Sequence, residues 1–218
     1  MGEFEILDTD EPLPKRLERH AFDRLIMLSD GVFAIAITLL ALEIRPPQAW
    51  SGDLADLVRQ TWRSLFGFTL GFVLVGFYWM AHRRIFARLR RVDGVCTVLT
   101  LMLLGLVSLA PAVAELMAVQ GPAKSLKVYF ISQAGTSVAL ALLWGYAAFP
   151  GKLVDASIGP KTRAFSFVGM LVLPLVFCAA GLATTGSHPS PVALLVLVLF
   201  AGVLGIGRRL LARAGGPT

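Results

Sequence analysis

The sequence predicts an all-α, polytopic membrane protein with six transmembrane helices, and three observations carry that prediction. Of 218 residues, 56% are hydrophobic and only 16% are charged. A soluble domain of this size keeps a polar skin and cannot be this apolar throughout. Several apolar runs approach or exceed the roughly 18 residues that argue for a membrane span. The alternation of apolar and polar residues that marks a membrane β-barrel is missing.

Spans are expected at about 25–44, 62–81, 95–114, 127–149, 164–184 and 191–207. The breaks between them have chemical causes. "RPPQAWSGD" after the first span holds two prolines and a glycine, which cannot continue a helix. "HRRIFARLRRVDG" separates the second and third spans, Gly121-Pro122 precedes the fourth, Pro150-Gly151 follows it, and "GSHPSP" turns the chain before the sixth. Pro174 lies inside the fifth span, where it is expected to kink the helix. This divides the chain into a tail at 1–23, a six-helix domain at 24–207 and a tail at 208–218. Residues 1–14 carry five acidic groups and no Lys or Arg, which reads as a disordered cytoplasmic tail with no signal peptide. Cys96 and Cys178 both fall in apolar runs and read as buried small side chains.

The basic residues set the orientation. Lys15, Arg16, Arg19, Arg24, Arg83, Arg84, Arg88, Arg90, Arg91, Lys152, Lys161, Arg163, Arg208, Arg209 and Arg213 fall on one side, which makes 15 of the 20. Arg45, Arg59, Arg63, Lys124 and Lys127, the other 5, fall on the opposite side. Basic loops stay in the cytoplasm, so both termini are expected inside. The same asymmetry accounts for the net charge of +6 without nucleic acid as a partner. The basic loop "RRIFARLRR" faces lipid headgroups in this reading.

The first span carries the functional signal. At 100° per residue, Arg24, Leu28, Gly31, Ile35, Thr38, Leu39 and Leu42 share one stripe, while Ser29 and Asp30 point away from it. The stripe is aliphatic beyond Ile35, with one hydroxyl at Thr38. The second span ends in "GFYWMAHRR", which puts Trp79 and His82 on one face, beside Asp30. An indole and an imidazole N–H are natural donors to a carboxylate. Arg24, Ser29, Asp30, Trp79 and His82 are therefore expected to form an interhelical network at the foot of the first helix.

The stretch Arg24-Leu-Ile-Met-Leu28-Ser29-Asp30-Gly31, followed by an Ile- and Leu-rich helix, resembles the signature of the lysosomal potassium channel family and its prokaryotic relatives. The family has Phe where this chain has Leu28. Trp79 and His82, and Ser108-Leu109-Ala110-Pro111 ending the third span, resemble the family too. The resemblance is strong over about 24–111 and topological beyond. It implies a modestly potassium-selective cation channel without the usual Thr-Val-Gly-Tyr-Gly filter, in the plasma membrane of a prokaryote. Animal members carry two six-helix repeats and assemble as dimers. This chain carries one, which implies a homotetramer with first helices lining the pore. The family's aliphatic pore rings fall on Ile35, Leu39 and Leu42, and its Thr on Thr38. The resemblance implies K+ as the permeating ion, with no cofactor.

Two other functions compete. A small secondary transporter would show inverted repeats and polar groups at the midplane of broken helices. No repeat of the signature occurs, and only Ser132, Gln133 and Thr136 supply midplane polarity, read as helix–helix bonds. An enzyme would need a convergent catalytic set. The three histidines, His20, His82 and His188, are dispersed, and no metal motif or phosphate loop occurs.

Overall fold

The computed structural model describes residues 13–47 and 49–183, and they form six helices. These are α1 (Leu13–Leu42), α2 (Leu54–Phe86), α3 (Gly94–Ser108), α4 (Ala110–Gln120), α5 (Pro122–Ala148) and α6 (Pro160–Ala183). Because α3 and α4 follow one another end to end, they make one span, and the described residues contain five helices long and apolar enough to cross a membrane. The sixth expected span, 191–207, lies outside the described residues.

The element limits have local causes. Asp53 caps α2 by accepting from the Ala55 N–H, and Asp93 caps α3 by accepting from the Cys96 N–H. The third span was expected as one helix over 95–114 and breaks instead at Leu109. Pro111 has no N–H to give the carbonyl one turn back, and it disfavours helical geometry in the residue before it. The turn tightens there, with the Leu109 N–H donating to the Leu106 carbonyl at 3.2 Å. Gly121, at φ +76°, then reverses the chain into α5 in a conformation that side-chain-bearing residues rarely adopt. At the other end of the chain, α1 begins at Leu13 and runs unbroken through Arg24 into the span. Residues 1–12 lie outside the described residues.

The helices pack as neighbours in a bundle. α5 packs against α6, α3 and α4, and α2 packs against α1 and α4. Close approach uses small residues, as expected between helices in lipid. A Cβ on Gly67 would sit 3.2 Å from the Ala114 carbonyl oxygen, so α2 and α4 touch backbone to backbone there. A Cβ on Gly71 would sit 2.8 Å from Leu40 Cδ2, which shows Leu40 of α1 seated in a notch on α2. Tyr78 ties α2 to α5 in the core, donating to the Gln133 carbonyl at 3.1 Å and sharing a 2.8 Å bond with Ser137. Of the expected midplane bonds, Thr136 stays within its own helix, donating to the Ser132 carbonyl. Cys96 is buried, whereas Cys178 is exposed on α6 and not buried as its apolar context suggested.

The loops sort into two ends. Arg90 pairs with Asp155 at 2.6 Å, and Leu89 bridges Val154, so the α2–α3 and α5–α6 connections meet at one end. At the opposite end, Arg45 pairs with Glu115 at 2.5 Å. The Arg90 guanidinium, helped by the Ser157 N–H, holds the Asp155 carboxyl well below the usual carboxylate range. A depressed carboxyl stabilises the fold above its unfolded value and loses that effect only as pH falls through the lower folded one. The loop pairing therefore stays intact across neutral and mildly acidic pH.

Gly67→Val should force α2 away from the Ala114 backbone and destabilise the fold by about 1–3 kcal/mol. Gly105→Val, where a Cβ meets no atom within 4 Å, should leave the thermal midpoint in detergent near that of the parent. Equal midpoints for the two variants would contradict this packing.

Candidate functional site

The site is α1, which has two faces of different character. Leu25, Ser29, Phe33, Ala36 and Leu40, spaced by three and four, form a buried seam against α2 and its neighbours. On the adjoining face, Arg24, Leu28, Gly31, Ile35, Thr38, Leu39 and Leu42 are all exposed. Ile35 is 59% exposed, Leu39 41% and Leu42 72%. The stripe read from the sequence is thus the face that the described residues leave uncovered. Thr38 lies on it, and its hydroxyl donates to the Ile35 carbonyl at 2.9 Å. The donor is used, and the oxygen lone pairs remain free to accept. Ile37, on the opposite side, is half-buried and packs on the core.

At the foot of α1 the expected interhelical network forms in part. Trp79 Nε1 donates to Asp30 Oδ1 at 2.8 Å, across α2 and α1. Arg83, not anticipated from the sequence, lies with its guanidinium 5.7 Å from the Trp79 ring centroid. His82 shares a cleft of about 480 Å³ with Asp30, Trp79 and Arg83 but is not hydrogen-bonded to them. Its ring packs 4.3 Å from Phe86 and 5.7 Å from Phe33, centroid to centroid, and its buried Nε2 has no partner among the described residues. His82 therefore contributes ring packing between α1 and α2. Ser29 also stays out of the network. It is fully buried, and its hydroxyl donates to the Leu25 carbonyl one turn back in its own helix. Arg24 is exposed on the stripe and is not brought to Asp30.

At the other end of α1, Glu43 lies 3.9 Å from Arg45, which bonds Glu115 of α4 more closely. Glu43 is thus part of a cluster with two carboxylates and one guanidinium. The seat of Leu40 against Gly71 and the roles of Arg83 and Glu115 were not read from the sequence. A glycine spaced for close helix contact was the available signal for the first. Nothing local marks the other two, whose partners are four residues away on a helix face or 70 residues away in the chain.

The profile of the endosomal/lysosomal potassium channel TMEM175 family matches residues 24–111. A protein of Streptomyces collinus named a potassium channel is 31% identical over 189 residues, spanning 82% of this chain and 90% of that one. The chain belongs to the TMEM175 family. A potassium channel of Chamaesiphon minutus is 34% identical over 144 residues, covering 63% of this chain and 71% of the relative. Among solved structures, a lysosomal potassium-selective channel TMEM175 homolog from Chamaesiphon minutus superposes with a TM-score of 0.61 at 28% identity, covering 84% of this chain and 97% of that one. The potassium channel MtTMEM175, solved as a variant with a nanobody fusion protein, shares the fold at a TM-score of 0.56 and 16% identity, covering 87% and 93%. The TMEM175 family is one of ion channels and not of enzymes. The matched segment runs from Arg24 to Pro111, so it takes in the exposed stripe, the Asp30–Trp79 contact and the break at Leu109.

Trp79→Phe keeps the ring but removes the donor to Asp30. It should destabilise the α1–α2 pair by roughly 1 kcal/mol, and its combination with Asp30→Ala should be less than additive. Thermal melts of the two single variants and the double variant in detergent measure the coupling. Full additivity would mean that the indole and the carboxylate act independently.

Proposed function

We propose that this chain is a potassium channel that assembles as a homotetramer in a prokaryotic plasma membrane, with four copies of α1 around a central pore. The observation that carries the reading is the exposed aliphatic stripe on α1, set against a fully packed seam on the same helix. A helix held this firmly on one side and left bare by the described residues on the other has that face toward lipid, toward copies of itself or toward the 184–218 segment. Membership of a channel family, and relatives named potassium channels, favour the second.

In that arrangement each of Ile35, Leu39 and Leu42 contributes a ring. Ile35 to Leu42 spans about 10 Å along the axis at 1.5 Å per residue. An aliphatic passage of that length strips water from an ion and gates by dewetting. Stripping costs a smaller, more tightly hydrated sodium ion more than potassium. The free lone pairs of Thr38 offer one replacement contact within the dry stretch. The carboxylate excess at Glu43, Arg45 and Glu115 gives the outer mouth a negative bias that draws cations in.

The orientation places the arginine-rich 83–91 loop and its partner loop at 149–159 in the cytoplasm, and the 43–53 connection outside, as the basic-residue count supports. A membrane-impermeant thiol reagent should label Ser51→Cys in intact cells and Ser157→Cys only after permeabilisation. The reverse pattern would invert the topology.

The pore is tested by reversal potentials in reconstituted bilayers under bi-ionic potassium and sodium. Ile35→Ala or Leu39→Ala should widen the passage, raise conductance several-fold and bring sodium permeability toward that of potassium. Ile37→Ala should leave both unchanged and cost stability on the order of 1–2 kcal/mol, because that side chain packs on the core. A selectivity change in Ile37→Ala with none in Ile35→Ala would overturn the pore assignment.

A further inference from the structure

A groove of about 400 Å³ runs between α2, α5 and α6, away from the exposed stripe of α1. Its composition changes along its length. At the end shared with the 87–93 loop it is bounded by Arg84, Arg88 and Ser166. Deeper in the bilayer its walls are Phe77 of α2, Leu140 of α5 and Leu173 of α6. Arg84 stands seven residues beyond Phe77, about 10 Å along the helix axis. On α2 and α6 the lining is polar near the loops and apolar further along, while α5 contributes Leu140 and, deeper, Ser137. The one deep hydroxyl, Ser137, is already bonded to Tyr78.

Arg88 is held in place before any ligand arrives. Its guanidinium lies 5.5 Å from the Trp144 ring centroid, and Nη1 donates to Ser166 Oγ at 3.3 Å. That uses one of five N–H donors. Among the described residues neither Arg84 nor Arg88 has a carboxylate within ion-pair distance. Two uncompensated guanidinium groups above an apolar slot match a phosphate joined to an acyl chain, because the planar guanidinium binds phosphate oxygens in pairs.

We propose that this groove is a binding site for one anionic phospholipid of the cytoplasmic leaflet. Arg84 and Arg88 hold its phosphate, and one acyl chain lies along the wall formed by Phe77, Leu140 and Leu173. The site is separate from the pore, so its test does not depend on conduction. A soluble phosphate would satisfy the arginines but leave the slot empty.

Native mass spectrometry of the purified full-length protein, titrated with phosphatidylglycerol or with phosphatidylcholine of the same chains, tests the site. Phosphatidylglycerol should bind at least tenfold more tightly than phosphatidylcholine. Arg84→Ala/Arg88→Ala should weaken phosphatidylglycerol binding roughly thirtyfold, with little change for phosphatidylcholine, and Arg88→Lys should fall between the parent and the double variant, because an ammonium keeps the charge but not the paired donors. Gly169→Leu fills the groove from a position where a Cβ meets no atom within 4 Å, and it should weaken binding of both lipids. Equal affinity for the two lipids, or retention of phosphatidylglycerol by the double arginine variant, would overturn the proposal. So would inorganic phosphate displacing the lipid at equal concentration, which would make the arginines an anion site alone. If the 184–218 segment or a second copy fills the groove instead, Gly169→Leu will lower the melting temperature of lipid-free protein and leave phosphatidylglycerol binding intact, which also overturns it.

Discussion

The rotation of α1 about its own axis is the setting on which the rest of the molecule depends. Three contacts fix it. Leu40 sits in the notch at Gly71, Phe33 is buried beside the His82 ring, and Asp30 accepts from Trp79. They lie on one side of the helix over nearly three turns, and they bind it to α2. A helix turns 100° per residue, so a slip of one position would bury Ile35 and expose Ala36. Because the seam is pinned by shape at one end and by a hydrogen bond at the other, the stripe one residue out of phase is held outward. In lipid this matters more than it would in water, since apolar side chains gain little by choosing protein over acyl chains. Steric fit and polar contacts therefore choose the angle.

The polar groups at the two ends divide the work. The Asp30–Trp79 bond, with Arg83 over the indole, anchors the first turns of the α1 span to the end of α2. The Arg45 cluster ties the other end of α1 to α4. Between them no ion pair or acidic side chain interrupts the stripe. In the proposed pore, this leaves hydration cost to act along the stripe and charge to act at its two ends. His82 belongs to the anchoring through its ring, which packs on Phe33 and Phe86, while its buried Nε2 has no hydrogen-bond partner among the described residues.

Much of this was legible in the sequence because it rests on periodicity. The four described breaks, the exposed stripe of α1 and the pairing of Asp30 with Trp79 all follow from turn residues and 100° spacing. What was not legible depends on geometry that spacing does not encode. Ser29 was placed correctly on its helix face, but its hydroxyl had a nearer acceptor in its own backbone. Cys178 lies in an apolar run that happens to face outward, and hydrophobicity cannot distinguish a face toward lipid from one toward protein. Helix ends extended past the hydrophobic limits at Leu13 and Leu54, because helical backbone continues into water wherever capping and propensity allow. The break at Leu109 is encoded in the sequence by Pro111, whose missing N–H leaves the carbonyl one turn back without its helical donor.

The central claim is that the uncovered face of α1 lines the conduction path on the axis of an assembly. Thiol accessibility tests it most directly, in channels whose native Cys96 and Cys178 are replaced by Ser. A small water-soluble thiol reagent added to a bilayer should reduce potassium current through Leu39→Cys within the time of mixing. It should leave Leu175→Cys untouched, because that α6 position is 67% exposed without belonging to the stripe. If Leu39→Cys is as inert as Leu175→Cys while the channel still conducts, the stripe faces lipid and the pore lies elsewhere.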